Sequence, residues 1–158
     1  MKPKTAIFVD VQNIYYTTRE IFNKQFNYRA LWHLISKDNE VSFAIAYAIQ
    51  RHDNKQIQFQ DALRHIGFEV KLKPYIQRSD GTAKGDWDVG ITIDMLELAK
   101  DLDKIILLSG DGDFSLLLDK VKANHKVKTE VYSVQNLTSK QLIDAADKYH
   151  SINDSLLL

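Results

Sequence analysis

Residues 105–114 read Ile-Ile-Leu-Leu-Ser-Gly-Asp-Gly-Asp-Phe, and this stretch decides the fold. Four consecutive apolar residues without alternation are typical of a strand that is buried on both faces of a parallel sheet. Glycines and aspartates then predict a tight turn, and Leu117, Leu118 and Val121 are spaced for the buried side of a helix. The stretch therefore predicts one strand–turn–helix unit of an α/β fold.

The same kind of unit recurs along the rest of the chain. The pattern predicts strands over 5–9, 41–49, 68–72, 105–108 and 127–134. It predicts helices over 14–23 with Asn13 as the cap, 28–36, 54–66 with Asp53 as the cap, 87–100, 114–123 and 139–146. We expect Val89, Ile93 and Leu96 to form the buried face of the helix over 87–100, and residues 77–86 to form a polar loop. The predicted fold is a three-layer α/β/α arrangement with a central, mostly parallel sheet of about five strands.

Length and composition limit the classes of protein to which this chain can belong. Its 158 residues favour a single domain over 1–158, and 44% hydrophobic residues suffice for a packed core. The absence of cysteine excludes a disulfide scaffold and a thiolate zinc site, and it is compatible with the reducing cytoplasm, where we expect the protein. No stretch approaches transmembrane length, so no membrane association is expected. A formal net charge of zero excludes a highly basic coat but permits a local basic stripe.

Aspartates follow the predicted strands at the points where those strands end. Asp10 ends the first apolar run, Asp111 and Asp113 follow the fourth, and Asp86 and Asp88 open the helix after the polar loop. Neighbouring parallel strands lie roughly 5 Å apart, so acids at their ends can share one ion. Clustered carboxylates repel one another, and a hard cation such as Mg²⁺ relieves that repulsion. Any single aspartate is explained equally well as a turn residue or a helix cap, so the prediction of a metal site rests on the three groups converging.

Basic and aromatic residues lie close in sequence to these acids. Cations that bind phosphates, interleaved with aromatics that stack on bases, are typical of a single-strand RNA-binding surface. Lysines on an exposed strand also discourage edge pairing, and a tryptophan at the start of a helix is often a core residue, so both interpretations stay open. The cationic residues concerned are Lys71, Lys73, Arg78 and Lys84, and the aromatic ones are Tyr75 and Trp87.

Three blocks of this sequence resemble the NYN domain family of the PIN-like nuclease superfamily, and most closely its bacterial LabA-like branch. The first is Val-Asp-Val-Gln-Asn over 9–13, and the second is Lys-Gly-Asp-Trp-Asp-Val over 84–89, followed by Asp94. The third is Ser-Gly-Asp-Gly-Asp-Phe over 109–114. The order and spacing of the blocks match over about residues 5 to 135.

The resemblance implies a PIN-like, Rossmann-like topology and a metal-dependent ribonuclease site that hydrolyses RNA phosphodiester bonds. It implies that Mg²⁺ or Mn²⁺ is the cofactor and that RNA, in single-stranded form, is the partner. It leaves open a homo-oligomer or a regulatory protein partner. The residues implied to be both catalytic and metal-binding are Asp10, Asp88, Asp111 and Asp113.

Supporting roles carry over from the same blocks. Asn13 would orient Asp10 or touch a phosphate, and Ser109 would lie beside the metal. The family usually has one aspartate where this chain has Asp86 and Asp88, and the spacing to Val89 and Asp94 favours Asp88 as the ligand. Asp94 is two-thirds of a helical turn away from Asp88 and is therefore a supporting residue.

Three other functions compete with this hypothesis. The first is a non-catalytic PIN-like module that binds RNA or a protein in a regulatory complex. The second is a haloacid dehalogenase-type phosphatase, which requires an aspartate at the position of Gln12. The third is a dinucleotide-binding domain, which requires a Gly-x-Gly-x-x-Gly turn after the first strand. The five histidines have no metal-type spacing, and none lies in the three blocks.

Overall fold

The computed structural model describes residues 1–51, 53–74, 76–77, 83–84 and 86–158, with only the backbone at 76–77 and 83–84. The strands, in chain order, are β1 Lys4–Asp10, β2 Glu40–Gln50, β3 Glu69–Pro74, β4 Ile76–Gln77, β5 Ala83–Lys84, β6 Lys104–Leu108, β7 Lys128–Ser133 and β8 Lys148–Ser151. The helices are α1 Val11–Phe22, α2 Tyr28–Asp38, α3 Asn54–Ile66, α4 Asp88–Leu98, α5 Phe114–His125 and α6 Lys140–Ala145.

Six strands form the central sheet in the order β3-β2-β1-β6-β7-β8, and every neighbouring pair is parallel. The α/β fold with a parallel central sheet is therefore confirmed, with six strands where the sequence predicted about five. The additional strand is β8, whose short polar sequence Lys-Tyr-His-Ser lacks the apolar run that marks the others. The chain builds outward from β1 in one direction and from β6 in the other, so the strand order reverses between β1 and β6. Ligands of such sheets bind at the carboxyl ends of the strands at this reversal.

Side chains of each central strand alternate between two buried layers, because successive strand residues point to opposite faces. Ile7 and Val9 of β1 contribute to a core that is covered by α1, α2, α3 and the C-terminal segment. Ala6 and Phe8 contribute to a second core, covered by α4, α5 and α6. The sheet thus lies between two helical layers, which confirms the three-layer arrangement.

The first helix begins three residues earlier than predicted. It starts at Val11, directly after β1, and its N-cap is Asp10 rather than Asn13. The Asp10 carboxylate accepts the backbone N–H of Asn13, the type of bond by which an aspartate N-cap satisfies the first turn. The end of β1 and the start of α1 are therefore joined at the aspartate that the sequence marked as a site residue.

The prediction for the buried face of α4 is wrong. Val89, Ile93 and Leu96 lie on the outer side and are 70%, 57% and 37% exposed, whereas Ile91 and Met95 are fully buried. Apolar residues occur on every side of this helix, so periodicity alone does not define its rotation. Asp94 bonds to residues of β2 and β3, and this contact turns Ile91 and Met95 toward the sheet.

Two further segments differ from, or extend, the predicted pattern. The segment over 77–86 is predicted to be a loop, but it contains the end of β4 and all of β5. These two short strands pair antiparallel. At the C-terminus, Leu156 and Leu157 are buried in the core of α1, α2 and α3, and Leu157 forms a β-bridge with Phe26. The apolar C-terminal residues therefore dock on the domain itself.

Candidate metal centre

The predicted site residues of the first and third blocks meet where the strand order reverses. Asp10 is the last residue of β1, and Ser109 directly follows β6. The parallel register pairs Val9 with Leu108, so Asp10 and Ser109 are the next residues along the two strands. The Ser109 hydroxyl donates to Asp10 Oδ2 at 3.0 Å. The backbone N–H of Asp111 donates in turn to Ser109 Oγ at 3.2 Å, so this serine connects the two acidic loops.

Asn13 makes a second connection between the same loops. Its side-chain oxygen accepts the backbone N–H of Gly110 at 2.9 Å. The first turn of α1 is thus bonded to the turn that carries Asp111. Asn13 also donates its own N–H to Asp10 Oδ1 at 3.5 Å, which places it between the two acidic segments.

The turn after β6 needs its two glycines because another loop packs against it. A Cβ on Gly112 would lie 2.7 Å from Ser139 Oγ, and a Cβ on Gly110 would lie 3.1 Å from the Leu137 carbonyl oxygen. The Ser139 N–H also donates to the Gly110 carbonyl at 3.3 Å. The segment before α6 therefore supports the acidic turn from behind, and larger residues in the turn would displace it.

Three carboxylates converge in front of this turn. One oxygen from each of Asp88, Asp111 and Asp113 lies within 4.8 Å of the others. Asp88 is the first residue of α4, Asp113 is the exposed residue before α5, and the Asp113 N–H donates to Asp111 Oδ1 at 2.9 Å. Asp10 does not belong to this close group, although its charge interacts with that of Asp111.

The electrostatics of the cluster favour protonation of its inner members. The pKa of Asp10 is raised to about 6, chiefly by burial and to a smaller extent by the charges of Asp111 and Asp86, against the lowering effect of the hydrogen bonds from Ser109 and Asn13. Burial also raises the pKa of Asp88 to about 7, together with the charge of Asp111 and a hydrogen bond between these two carboxyl groups. Carboxylates that are crowded and poorly neutralised form a donor set that suits a hard divalent cation. The residues present therefore fit Mg²⁺ or Mn²⁺.

Asp86 lies beside this group and has a different environment. Its side chain accepts the backbone N–H of Asp88 at 3.3 Å, and its backbone carbonyl accepts Lys73 Nζ at 2.7 Å. Lys73 Nζ also lies 4.9 Å from the centre of the Trp87 ring. Trp87 itself donates its indole N–H to the Ala48 carbonyl at 2.9 Å, so it is held against the sheet.

Asp94 lies away from the cluster, on the side of α4 that faces the sheet. Its Oδ2 accepts the hydroxyl of Tyr47 at 2.8 Å and Lys71 Nζ at 2.7 Å. Asp94 therefore attaches α4 to β2 and β3, and it keeps the ammonium group of Lys71 at that contact. Sequence reasoning missed Tyr47 as a partner because it falls in a strand whose alternation indicates only burial.

The remaining predicted RNA-binding residues lie outside what the structure describes. Arg78 and Tyr75 are outside the described residues, and so is the side chain of Lys84. Their role stays a prediction from the sequence.

The structure is a parallel α/β/α sheet with carboxylates grouped at its topological reversal. The NYN domain family, a PIN-like family of ribonuclease-like domains, matches residues 4–153. The chain belongs to the NYN domain family.

Two relatives show how close this kinship is. The chain is 30% identical to the low amplitude and bright protein LabA of Synechococcus elongatus, over 96% of this chain and 84% of the relative. It is 55% identical to VPA0982 of Vibrio parahaemolyticus, a crystallised protein of unknown function. That match covers 99% of this chain and 97% of the other, with a TM-score of 0.95. Within the described residues, no helix combines the length and apolar character needed to cross a bilayer.

Proposed function

We propose that this protein is a metal-dependent ribonuclease that hydrolyses phosphodiester bonds of single-stranded RNA in the cytoplasm. The observation that carries the proposal is the group of Asp88, Asp111 and Asp113, whose oxygens lie within 4.8 Å of one another at the reversal of strand order. Kinship with the NYN domain family supports a ribonuclease-like activity for this edge of the sheet.

The three grouped aspartates would hold Mg²⁺ or Mn²⁺, with Asp10 as the fourth carboxylate of the site. When bound, the ion would polarise a phosphodiester oxygen and lower the pKa of a coordinated water. Asp10 keeps its carboxylate orientation because Ser109 donates to one oxygen and the Asn13 N–H to the other. Asp113 is the exposed member of the group, so substrate would approach the site from its side.

The raised pKa values of Asp10 and Asp88 make ion binding depend on pH. Near neutral pH, Asp88 holds a proton for part of the time, because its pKa is about 7 and Asp111 hydrogen-bonds to it. A cation held by Asp88 would displace that proton, so its affinity would increase as the pH rises through this range. Asn13 and Ser109 act on the reaction by fixing the two acidic loops in register.

The RNA strand would approach over the side of the site that carries Lys73. The ammonium group of Lys73 donates to the Asp86 carbonyl, next to the acidic cluster. The ammonium group of Lys71 is instead paired with Asp94. We therefore assign phosphate binding to Lys73 before Lys71. Arg78 and Lys84 remain candidates from their place in the sequence.

Calorimetric titration with Mn²⁺, followed by addition of single-stranded RNA, tests the proposal. We expect saturable binding by the wild type, at least about a hundredfold weaker binding by Asp88→Asn/Asp111→Asn, and RNA cleavage by the wild type alone. The matched control is Asp119→Asn, which removes an exposed aspartate from α5 outside the cluster and should behave as the wild type. A separate Asp10→Asn titration measures how much the fourth carboxylate contributes.

Two results would contradict the proposal in different ways. Absence of Mn²⁺ and Mg²⁺ binding at millimolar concentration, with RNA present, would assign the acids a structural role. Metal and RNA binding without any cleavage would instead favour the non-catalytic RNA-binding module.

A further inference from the structure

We propose that Tyr15, Tyr16 and Arg19 of α1 form a base-stacking platform for an unpaired nucleotide next to the one that is cut. This inference rests on the proposed function, because it names the part of the protein that would hold the RNA bases. The three residues lie outside the motif blocks that resemble the NYN family, and the carboxylate chemistry does not use them.

The two tyrosines are accessible to solvent. Tyr15 is 41% exposed and Tyr16 is 56% exposed, while Val11, Ile14 and Thr18 form the buried side of the same helix. A tyrosine in the core of a domain buries most of its ring, so two adjacent exposed rings are available to a partner.

The rings are ordered by each other and by the arginine. Tyr15 and Tyr16 contact edge to face, with their centres 5.2 Å apart and their planes at 80°. Arg19 donates from Nη1 to the Tyr15 hydroxyl at 2.6 Å, and its guanidinium carbon lies 5.8 Å from the centre of the same ring. No carboxylate pairs with Arg19 in the described part of the chain. A cationic, pre-ordered aromatic surface loses little side-chain entropy when a base stacks on it.

The position of the platform relates it to the acidic site. Tyr16 follows Asn13 by three residues, so the two are neighbours on one side of α1, with Cβ atoms roughly 5–6 Å apart. Asn13 bonds to Gly110, the residue before Asp111. From Asp10 to Tyr16 the helix rises roughly 9 Å, which is comparable to one or two steps of an extended single strand. A strand with its phosphate at the aspartates can therefore place a neighbouring base on Tyr16.

Aromatic rings stack on all four bases, so this contact would add affinity for single strands with little sequence preference. A base in a double helix is already stacked on both sides and cannot use such a ring. The platform therefore favours single-stranded over double-stranded RNA.

Equilibrium binding of a short single-stranded RNA containing a fluorescent purine analogue tests the platform. EDTA is present throughout, so that metal-dependent cleavage cannot occur. We expect Tyr16→Leu to weaken binding about tenfold and to reduce quenching of the analogue, because stacking on the ring is lost. Tyr16→Phe retains the ring and should bind within about twofold of the wild type. Arg19→Gln should reduce the salt dependence of binding by about one phosphate contact.

The matched control is Phe43→Leu, which removes an exposed aromatic ring from β2. Phe43 is 41% exposed, as Tyr15 is, but it pairs with Ala6 near the opposite end of the sheet. Mn²⁺ affinity should be unchanged in all of these variants, which separates a stacking role from damage to the acidic site.

Three outcomes would overturn the platform. Equal RNA affinity for Tyr16→Leu and Phe43→Leu, with the wild type still cutting RNA, would remove the platform and leave the proposed function intact. A wild type that binds no single-stranded RNA in EDTA would overturn the platform, and one that also neither binds nor cuts RNA with Mn²⁺ present would overturn both. A wild-type dimer in sedimentation that becomes a monomer with Tyr16→Leu would identify the tyrosines as a protein interface.

Discussion

Carboxylates occur in two opposite electrostatic settings in this sheet. At the carboxyl ends of β1 and β6, the aspartates face other aspartates, and burial raises the pKa of Asp10 and Asp88. On β7, Glu130 is also partly buried, but Lys104 lies 3.1 Å from one of its oxygens and His150 lies 2.7 Å from the other.

As a result, the pKa of Glu130 shifts in the opposite direction to those of Asp10 and Asp88. Burial alone would raise the pKa of Glu130, but the hydrogen bonds from His150 and Lys104 outweigh it and hold the pKa below its usual value. Asp147 is similar, since the Thr129 N–H and Lys122 keep its pKa low against the effect of burial. Within the described residues, cationic partners therefore accompany the carboxylates that only join strands, and no ion pair is formed by Asp10, Asp88, Asp111 or Asp113, where we propose that a metal ion supplies the charge.

The largest expected effect on stability comes from removing one partner of Glu130, which is paired with both Lys104 and His150. Lys104→Met leaves Glu130 with His150 as its remaining partner, and we expect the free energy of unfolding to fall by about 2 kcal/mol. Urea denaturation measures this value. Lys128→Met is the control, because Lys128 is exposed on β7 opposite Lys104 and should change stability by less than about 0.5 kcal/mol. Adding Glu130→Gln to Lys104→Met should recover part of the loss, and no recovery would mean that the charge of Glu130 is not responsible.

A smaller effect should appear in the pH dependence of the metal-free protein. Because the pKa of Asp10 is about 6 when folded and near 3.8 when unfolded, the folded state binds more protons between these values. The contribution of protonated Asp10 to the free energy of unfolding is complete below the unfolded pKa and is lost as the pH rises through 6. Ionisation of Asp10 alone should lower the free energy of unfolding by about 1 kcal/mol as the pH rises from roughly 5 to 8. Ionisation of Asp88 should lower it further.

Denaturation curves in EDTA across this pH range measure the trend. Saturating Mn²⁺ should reverse it, since the ion binds the ionised carboxylates. Glu130 and Asp147 lose their stabilising contribution only in more acidic solution, because their folded pKa values are lowered. A metal-free stability that increases from pH 5 to pH 8 would contradict the proposed environment of Asp10.

The smallest expected effect tests the repulsion between the clustered carboxylates directly. Asp111→Asn removes one charge from the cluster, keeps an oxygen that can accept the Asp113 N–H, and provides an amide that can donate to Asp88. We expect a gain of roughly 0.5–1 kcal/mol without metal at neutral pH, seen as a melting temperature about 1–4 °C higher. A clear loss would show that the Asp111 carboxylate has a structural role that an amide cannot replace.

The parts of this fold that could be predicted are those whose cause is local in sequence. The unbroken apolar run of β6, followed by glycine and aspartate, specifies a buried parallel strand and the turn after it. The convergence of Asp10 with Ser109 and Asp111 then follows from parallel pairing of β1 with β6. The placement of Asp88 near Asp111 required the family resemblance, because residues 75–87 separate it from the preceding strand of the central sheet.

The parts that could not be predicted depend on contacts between distant residues. The sequence predicts only a supporting role for Asp94 at the site, and it could not show that Lys71 and Tyr47 bind Asp94 on the other side of α4. The same contact determines which apolar side of α4 is buried. Strand β8 escaped prediction because the sheet edge requires few apolar residues, and its Tyr149 and His150 bond to side chains of β7.

The register between β1 and β6 has a consequence for how the gene can change. Asp10 and Ser109 meet because Val9 pairs with Leu108, and a strand turns its side chains over at every residue. Deleting one residue within β6 would send Ser109 to the opposite face and displace Asp111 by roughly 3.3 Å. Loops and helix ends away from this edge can absorb insertions, because their length does not set that pairing. Evolution can therefore substitute residues in these two strands, but a change in their length should be tolerated far less often.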